Sequence, residues 1–178
     1  MVTMEEVILV NEQDEETGVM EKMEAHLKGR LHRAFSIFIF NDKNEMLLQQ
    51  RAAGKYHSAG LWTNACCSHP RPGEKTQDAA ARRLKEELGF ETQLGEIFEF
   101  SYKASFENGL TEHEFDHVFA GTYNGNMHLN KTEVQEVCFR SMEEIESDLQ
   151  THSHKFTAWF LLAFPLIKKW MNTTAAVA

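Results

Sequence analysis

The chain is 178 residues long, 42% apolar and 25% charged, which fits a single globular domain and excludes collagen-like, disordered and disulfide-scaffold chains. Its formal net charge of -9 leaves nucleic-acid binding without its usual electrostatic drive, so an anionic ligand needs a local basic cluster. The N-terminal MVTMEEVILVNEQDEE is acidic, and its apolar part, VILV, is too short for a signal peptide. The most apolar stretch, Phe156 to Ile167, contains Thr157 and Pro165 and ends in Lys168 and Lys169, short of the roughly 18 to 20 residues that span a bilayer. Three cysteines, two of them adjacent, form no paired framework, as in a reducing compartment. The expectation is one cytoplasmic domain over residues 1–178, monomeric and without a membrane span.

Glu6 to Val10 has strand character, and NEQDEETG after it reads as an acidic turn ending at Gly18. Leu31 to Phe40, aromatic and β-branched toward its end, predicts a buried strand that turns at NDKN into a second strand, Glu45 to Gln50. Arg51 to Glu74, with Gly54, Gly60, Pro70, Pro72 and Gly73, reads as a long ordered loop, and such loops are usually functional. Thr76 to Leu88 is Ala-rich and stops at Gly89, a helix with a glycine cap. Strands follow at Gly95 to Phe106, Leu110 to Tyr123 and Val134 to Arg140. Ser141 and Glu144 form a capping-box pattern that opens a helix, and Lys155 to Met171 is the last one. Antiparallel hairpins with helices between them define an α+β class, a mixed α/β/α sandwich.

Three segments carry candidate chemistry. In TEHEFDH, residues 111–117, strand alternation puts Glu112, Glu114 and Asp116 on one face. On that segment alone a solvated acidic edge is the simpler reading, whereas an inward face would require a cation. Nine histidines are present. His26, His32 and His69 lie beside polar or turn residues, and each taken singly reads as a surface or hydrogen-bonded histidine. Imidazoles together with carboxylates suit Mn, Zn or Fe better than Ca. The third segment, residues 62–90, has Arg83 and Glu87 four apart beside Glu86, the pattern of a salt-bridged exposed helix face.

The spacing of Glu74, Arg82, Leu84, Glu86, Glu87, Gly89 and Phe90 resembles the Nudix box, a loop-helix-loop motif that binds divalent metal beside a diphosphate. Ser68 stands at the box's opening glycine and Arg83 at the glutamate after its arginine. A cation there should damage hydrolytic chemistry and favour binding of a phosphate. Together with WTNACCSHP, these departures resemble the type I isopentenyl diphosphate isomerase family over about residues 5 to 171.

That resemblance implies a Nudix-like fold and a set of site residues. Its divalent metal (Mn, Mg or Zn) would be held by His26, His32, His69, Glu112 and Glu114. Cys67 falls on the family's catalytic cysteine, and Glu114, assisted by Tyr102, on its second acid-base residue. Lys22, Arg51, Lys55 and Arg83 would hold the diphosphate, a second Mg²⁺ would bridge it to Glu87, and Trp159 would lie over the hydrocarbon. The implied reaction moves a double bond in a prenyl diphosphate: a proton is added at one carbon and one is removed from another, on the other side of a tertiary cation, with Cys67 as a thiolate. Trp159 could stabilise the cation or simply be core. A Nudix hydrolase would leave Cys67, the three histidines and Glu112/Glu114 without roles, and a structural-zinc module would need a Cys-rich set that is absent. His57, His113, His117, His152 and His154 have no assigned role, the last two being expected on the surface.

Overall fold

A computed structural model describes residues 5–175. The elements are β1 Glu6–Val10, β2 Glu16–Glu21, α1 Lys22–Lys28, β3 His32–Phe40, β4 Met46–Arg51, β5 Trp62–Thr63, β6 Cys66–Ser68, α2 Thr76–Leu88, β7 Gly95–Ser105, β8 Thr111–Thr122, β9 Val134–Arg140, α3 Met142–His152 and α4 Ala158–Ala175.

β3 is the hub of the sheet. It pairs antiparallel with β1, β4 and β6 and parallel with β8, and β8 carries β7 antiparallel on its far side. Because both faces of β3 are covered, its sequence is an almost continuous apolar run rather than an alternation. Phe35, Ile37 and Ile39 pack with Leu47, Phe119 and the α2 residues Ala80, Leu84 and Leu88. Phe38 and Phe40 point the other way, into Val118 and the α4 residues Phe160, Phe164 and Ile167. Truncating a fully buried ring such as Phe160 should cost about 3–5 kcal/mol.

Helix α2 ends at Gly89 in the left-handed region, φ 75°, where an added Cβ would meet the His128 carbonyl at 2.6 Å. Glycine is therefore required there for space as well as for conformation. Before the helix, Arg82 grips Glu74 through two parallel bonds, Nε to Oε1 at 2.7 Å and Nη2 to Oε2 at 2.8 Å. That bidentate pair ties the loop to α2 and accounts physically for the glutamate and arginine of the Nudix-box spacing.

Three expectations need correction. NEQDEETG is a short turn followed by the exposed edge strand β2 and the seven-residue helix α1, capped at its end by Gly29 at φ 58°. The stretch 51–74 is not all loop, since β5 and β6 extend the sheet beside β4 and β3. The last helix begins at Ala158 instead of Lys155, because residues 153–155 make a 3-10 turn and Thr157 Oγ1 accepts from Phe160 N. The parallel β3–β8 pairing joins the antiparallel hairpins into the mixed sheet of a sandwich. Among the described residues no helix is long and apolar enough to cross a membrane.

Candidate active site

The parallel register sets His32 directly opposite Glu114. Glu112, Glu114 and Asp116 share the face of Val118, the side of the sheet that α4 covers, and all three are buried. The carboxylate face of TEHEFDH is thus inward, and the solvated-edge reading is overturned by the pairing of β8 between β3 and β7. His26 on α1, His32 at the start of β3 and His69 just after β6 are also buried rather than on the surface.

These side chains converge. His26, His32, His69 and Glu114 present ligand atoms within 4.8 Å of one another, and a second group joins His26 to His57 and Glu112. His32 Nε2 is 3.2 Å from His69 Nε2 and 3.5 Å from Glu114 Oε1, while His26 Nε2 is 3.6 Å from Glu112 Oε1. Adjacent donors on one ion, each about 2.0–2.2 Å from it, stand about 3 Å apart, so these separations fit a divalent metal. The outer ring nitrogens agree: His26 Nδ1 lies 2.6 Å from the Lys22 carbonyl and His32 Nδ1 2.8 Å from that of Arg30. Donation there leaves each Nε2 lone pair facing inward. His26 Nε2 is buried and has no hydrogen-bond partner among the described residues, the condition of an imidazole waiting for a cation. Tyr102 O–H bridges Glu112 Oε2 at 2.8 Å and Glu114 Oε2 at 2.6 Å. Against the cost of burial, nearby His32 and the Tyr102 hydroxyl draw the Glu114 carboxyl down to about 2.

Cys66 and Cys67 separate by strand alternation. Cys66 packs against α2, and Cys67 faces the cavity, bonded through its S–H to Asn64 Oδ1 at 3.1 Å and lying 3.4 Å from Ser36 Oγ. Asn64 is oriented by its own amide, which donates to the Ile37 and Cys66 carbonyls at 3.0 Å each. Burial and the neighbouring Asp116 push the Cys67 thiol up.

One cavity of about 280 Å³ takes in Cys67, Tyr102, Glu114 and Trp159, together with Lys22, Arg51, Lys55 and Arg83. Three of these cations are balanced by acids at its rim: Lys22 with Glu5 at 3.0 Å, Lys55 with Glu133 at 2.5 Å, Arg83 with Glu86 at 2.7 Å and Glu87 at 2.5 Å. Glu87 is buried rather than on an exposed helix face, and its second oxygen takes Gln49 Nε2 at 3.2 Å. The Nε atoms of Arg51 and Arg83 are buried without partners among the described residues, donors available to an anion. The Arg51 guanidinium lies 5.1 Å from the Trp159 ring, so Trp159 is both buried and part of the cavity wall.

Sequence reasoning put Asp116 on the carboxylate face of TEHEFDH without a role and missed His57, Ser36, Asn64 and Glu133 as members of this site. Of these, Asn64 in WTNACCSHP and His57 in the 51–74 loop stood in segments already singled out. Outside the site, His113 Nδ1 contacts the Gly29 carbonyl at 3.0 Å, His117 pairs with Asp14 and Glu96, and His152 and His154 are exposed as expected.

A sheet-and-helix sandwich with the Glu74–Arg82 loop clamp and a buried His/carboxylate centre defines a NUDIX-domain protein, and the NUDIX domain model matches residues 30–160. The fold is also that of the MutT protein from Methanosarcina mazei Go1, with a TM-score of 0.65 at 20% identity over 81% of this chain and 95% of that one. Within that class, the chain belongs to the isopentenyl-diphosphate Delta-isomerase family. It is 50% identical to the isopentenyl-diphosphate Delta-isomerase of Pectobacterium atrosepticum over 91% of this chain and 90% of the relative. It is 48% identical to isopentenyl-diphosphate Delta-isomerase 2 of Aromatoleum aromaticum, over 87% and 82%.

Proposed function

We propose that the chain interconverts isopentenyl diphosphate and dimethylallyl diphosphate by adding one proton and removing another within a single enclosed cavity. The observation that carries this reading is that Cys67 on β6 and the Glu114–Tyr102 pair on β8 and β7 come from strands on the two edges of β3 and line the same cavity.

Lys22, Arg51, Lys55 and Arg83 hold the diphosphate, and the acids paired with Lys22, Lys55 and Arg83 keep those groups from protonating the leaving oxygen. Trp159 lies over the hydrocarbon and offers its π face to the tertiary cation, worth up to about 2 kcal/mol once desolvated. Cys67 enters as a thiol and Glu114 as a carboxylate backed by the Tyr102 hydroxyl. One member of the pair makes a C–H bond at the terminal alkene carbon, and the other takes a proton from the methylene on the far side of the cationic carbon. Reversal of the reaction exchanges their roles, so protons balance in both directions.

His26, His32, His69, Glu112 and Glu114 would hold a divalent ion, Mn, Mg or Zn, and Glu87 would face a Mg²⁺ carried by the diphosphate. Bound there, the divalent ion supplies Lewis-acid charge that fixes the protonation state of its carboxylates. A single copy of the chain contains every group named, so the site needs no residue from a second copy. Its three cysteines are all free thiols, in keeping with a reducing cytoplasm.

The test is to incubate purified protein with isopentenyl diphosphate and Mg²⁺ and follow the mixture by proton NMR and a phosphate assay. Dimethylallyl diphosphate without released phosphate supports the reading. Phosphate release without isomer would replace it with a hydrolase.

A further inference from the structure

Asn64 lies between β5 and β6 and is fully buried. Its amide nitrogen donates to the Ile37 and Cys66 carbonyls, so turning the amide over would set its oxygen against two carbonyl oxygens. Oδ1 is thereby fixed on the other side, where it meets Thr63 Oγ1 at 2.9 Å and Cys67 Sγ at 3.1 Å. A carbonyl oxygen only accepts. The threonine hydroxyl and the Cys67 thiol therefore both donate to it.

The bonds continue away from the cavity. Thr63 Oγ1 takes the Thr157 hydroxyl at 2.9 Å, and Thr157 Oγ1 takes the Phe160 N–H at 3.4 Å in the first turn of α4. Thr63 and Thr157 are buried as well. Buried polar groups destabilise unless they are bonded, so an apolar seam between β5 and α4 would have served packing alone. What this run of polar groups shares is its end, an amide oxygen with one lone pair on Thr63 and the other on Cys67. Asn64 is not among the residues that line the cavity, so it reaches the substrate only through Cys67. A cysteine side chain has one torsion with three staggered positions, and the Asn64 bond, together with Ser36 Oγ at 3.4 Å, selects one of them.

We propose that Asn64 is a positioning residue for the isomerisation: its amide oxygen, locked by the Ile37 and Cys66 carbonyls and by Thr63, holds the Cys67 side chain in the rotamer that faces the substrate. This rests on the role given to Cys67 above. The two ends of the amide do separate work, the nitrogen tying β6 to β3 and the oxygen aiming the thiol. Asn64→Leu removes both ends, whereas Asn64→Asp keeps the oxygen and removes the donors.

The experiment is steady-state kinetics with isopentenyl diphosphate on the unaltered enzyme and these two variants, with thermal melts alongside. Both variants should melt lower, because both lose the donors. A displaced reacting group loses up to about 100-fold in rate, so kcat should fall about 10- to 100-fold in Asn64→Leu and stay within a few-fold of native in Asn64→Asp. KM should stay near native in both. Equal kcat losses in the two variants would make Asn64 purely structural and overturn the inference, as would native kcat in Asn64→Leu or a loss confined to KM. No isomer from the unaltered enzyme would overturn the isomerase reading itself. If either Asn64 variant does not fold, the infrared S–H stretching band that Cys67→Ala removes decides, recorded in a Ser36→Ala background that leaves Asn64 as the thiol's partner. A band below the wavenumber of an unbonded thiol supports the inference, and one at the unbonded position would overturn it.

Discussion

Cys66 and Cys67 are consecutive on β6, yet one is sealed into the core against α2 and the other opens onto the cavity beside Ser36 and Asn64. Two chemically identical side chains thus have unrelated duties, set only by the two-residue period of the strand.

Cys67→Ala should lower kcat by about 10²–10⁴, the usual contribution of a positioned acid or base, with little effect on folding. Cys66→Ser should do the opposite. A hydroxyl buried among Phe35, Ile37 and Leu84, with Glu87 beside it, fills the apolar site less well and costs about 1 kcal/mol, leaving kcat within a few-fold of native. Thermal melts beside turnover assays separate the two.

Arg83 reaches Glu86, Glu87 and the cavity at once. A charge-assisted hydrogen bond to a substrate phosphate is worth about 1.5–3 kcal/mol, so Arg83→Ala should raise KM for isopentenyl diphosphate roughly 10- to 100-fold and affect kcat less. Steady-state kinetics over a wide substrate range would show it, and an unchanged KM would remove Arg83 from the diphosphate cradle.

The Glu74–Arg82 clamp carries a pH signature. The Arg82 hydrogen bonds, against slight burial, hold the Glu74 carboxyl below its usual range. A depressed folded value means the stabilisation is complete above the unfolded carboxylate pKa of about 4.5 and is lost as pH falls below it through the folded value. Glu74→Gln should therefore cost about 1 kcal/mol at neutral pH and flatten the stability profile on its acid side. Urea unfolding at pH values between 3 and 7 reads this directly, and parallel profiles for the two proteins would contradict it.

Removing divalent metal should abolish turnover and lower the melting temperature, because a ligand that binds only the folded state stabilises it by mass action. Restoring Mn²⁺, Mg²⁺ or Zn²⁺ in turn, with melting temperature as readout, ranks the metals by how well the His/Glu centre takes them. A melting temperature unmoved by chelation and by every metal would argue against the centre.

Local signals located some elements better than others. Helix α2 was readable because alanine content and the obligatory Gly89 mark both its body and its end, and β9 because turn residues precede it. Strand β2 and helix α1 were not, since β2 is an exposed edge without alternation and α1 is only seven residues long. The inward face of Glu112 and Glu114 depends on the parallel β3–β8 pairing, made between segments about eighty residues apart. His57 was invisible for the same reason: its contacts are with Glu112, Phe106 and Trp159, and nothing in its own loop points to them.

The most direct test of two-sided proton transfer is to run the reaction in deuterium oxide and follow carbon-bound deuterium by NMR in the unaltered enzyme, Cys67→Ala and Glu114→Gln. The unaltered enzyme should yield dimethylallyl diphosphate with deuterium in a methyl group, and both variants should form almost no isomer. Isomer formed without solvent deuterium, or at native rate in either variant, would contradict a proton relayed between Cys67 and Glu114.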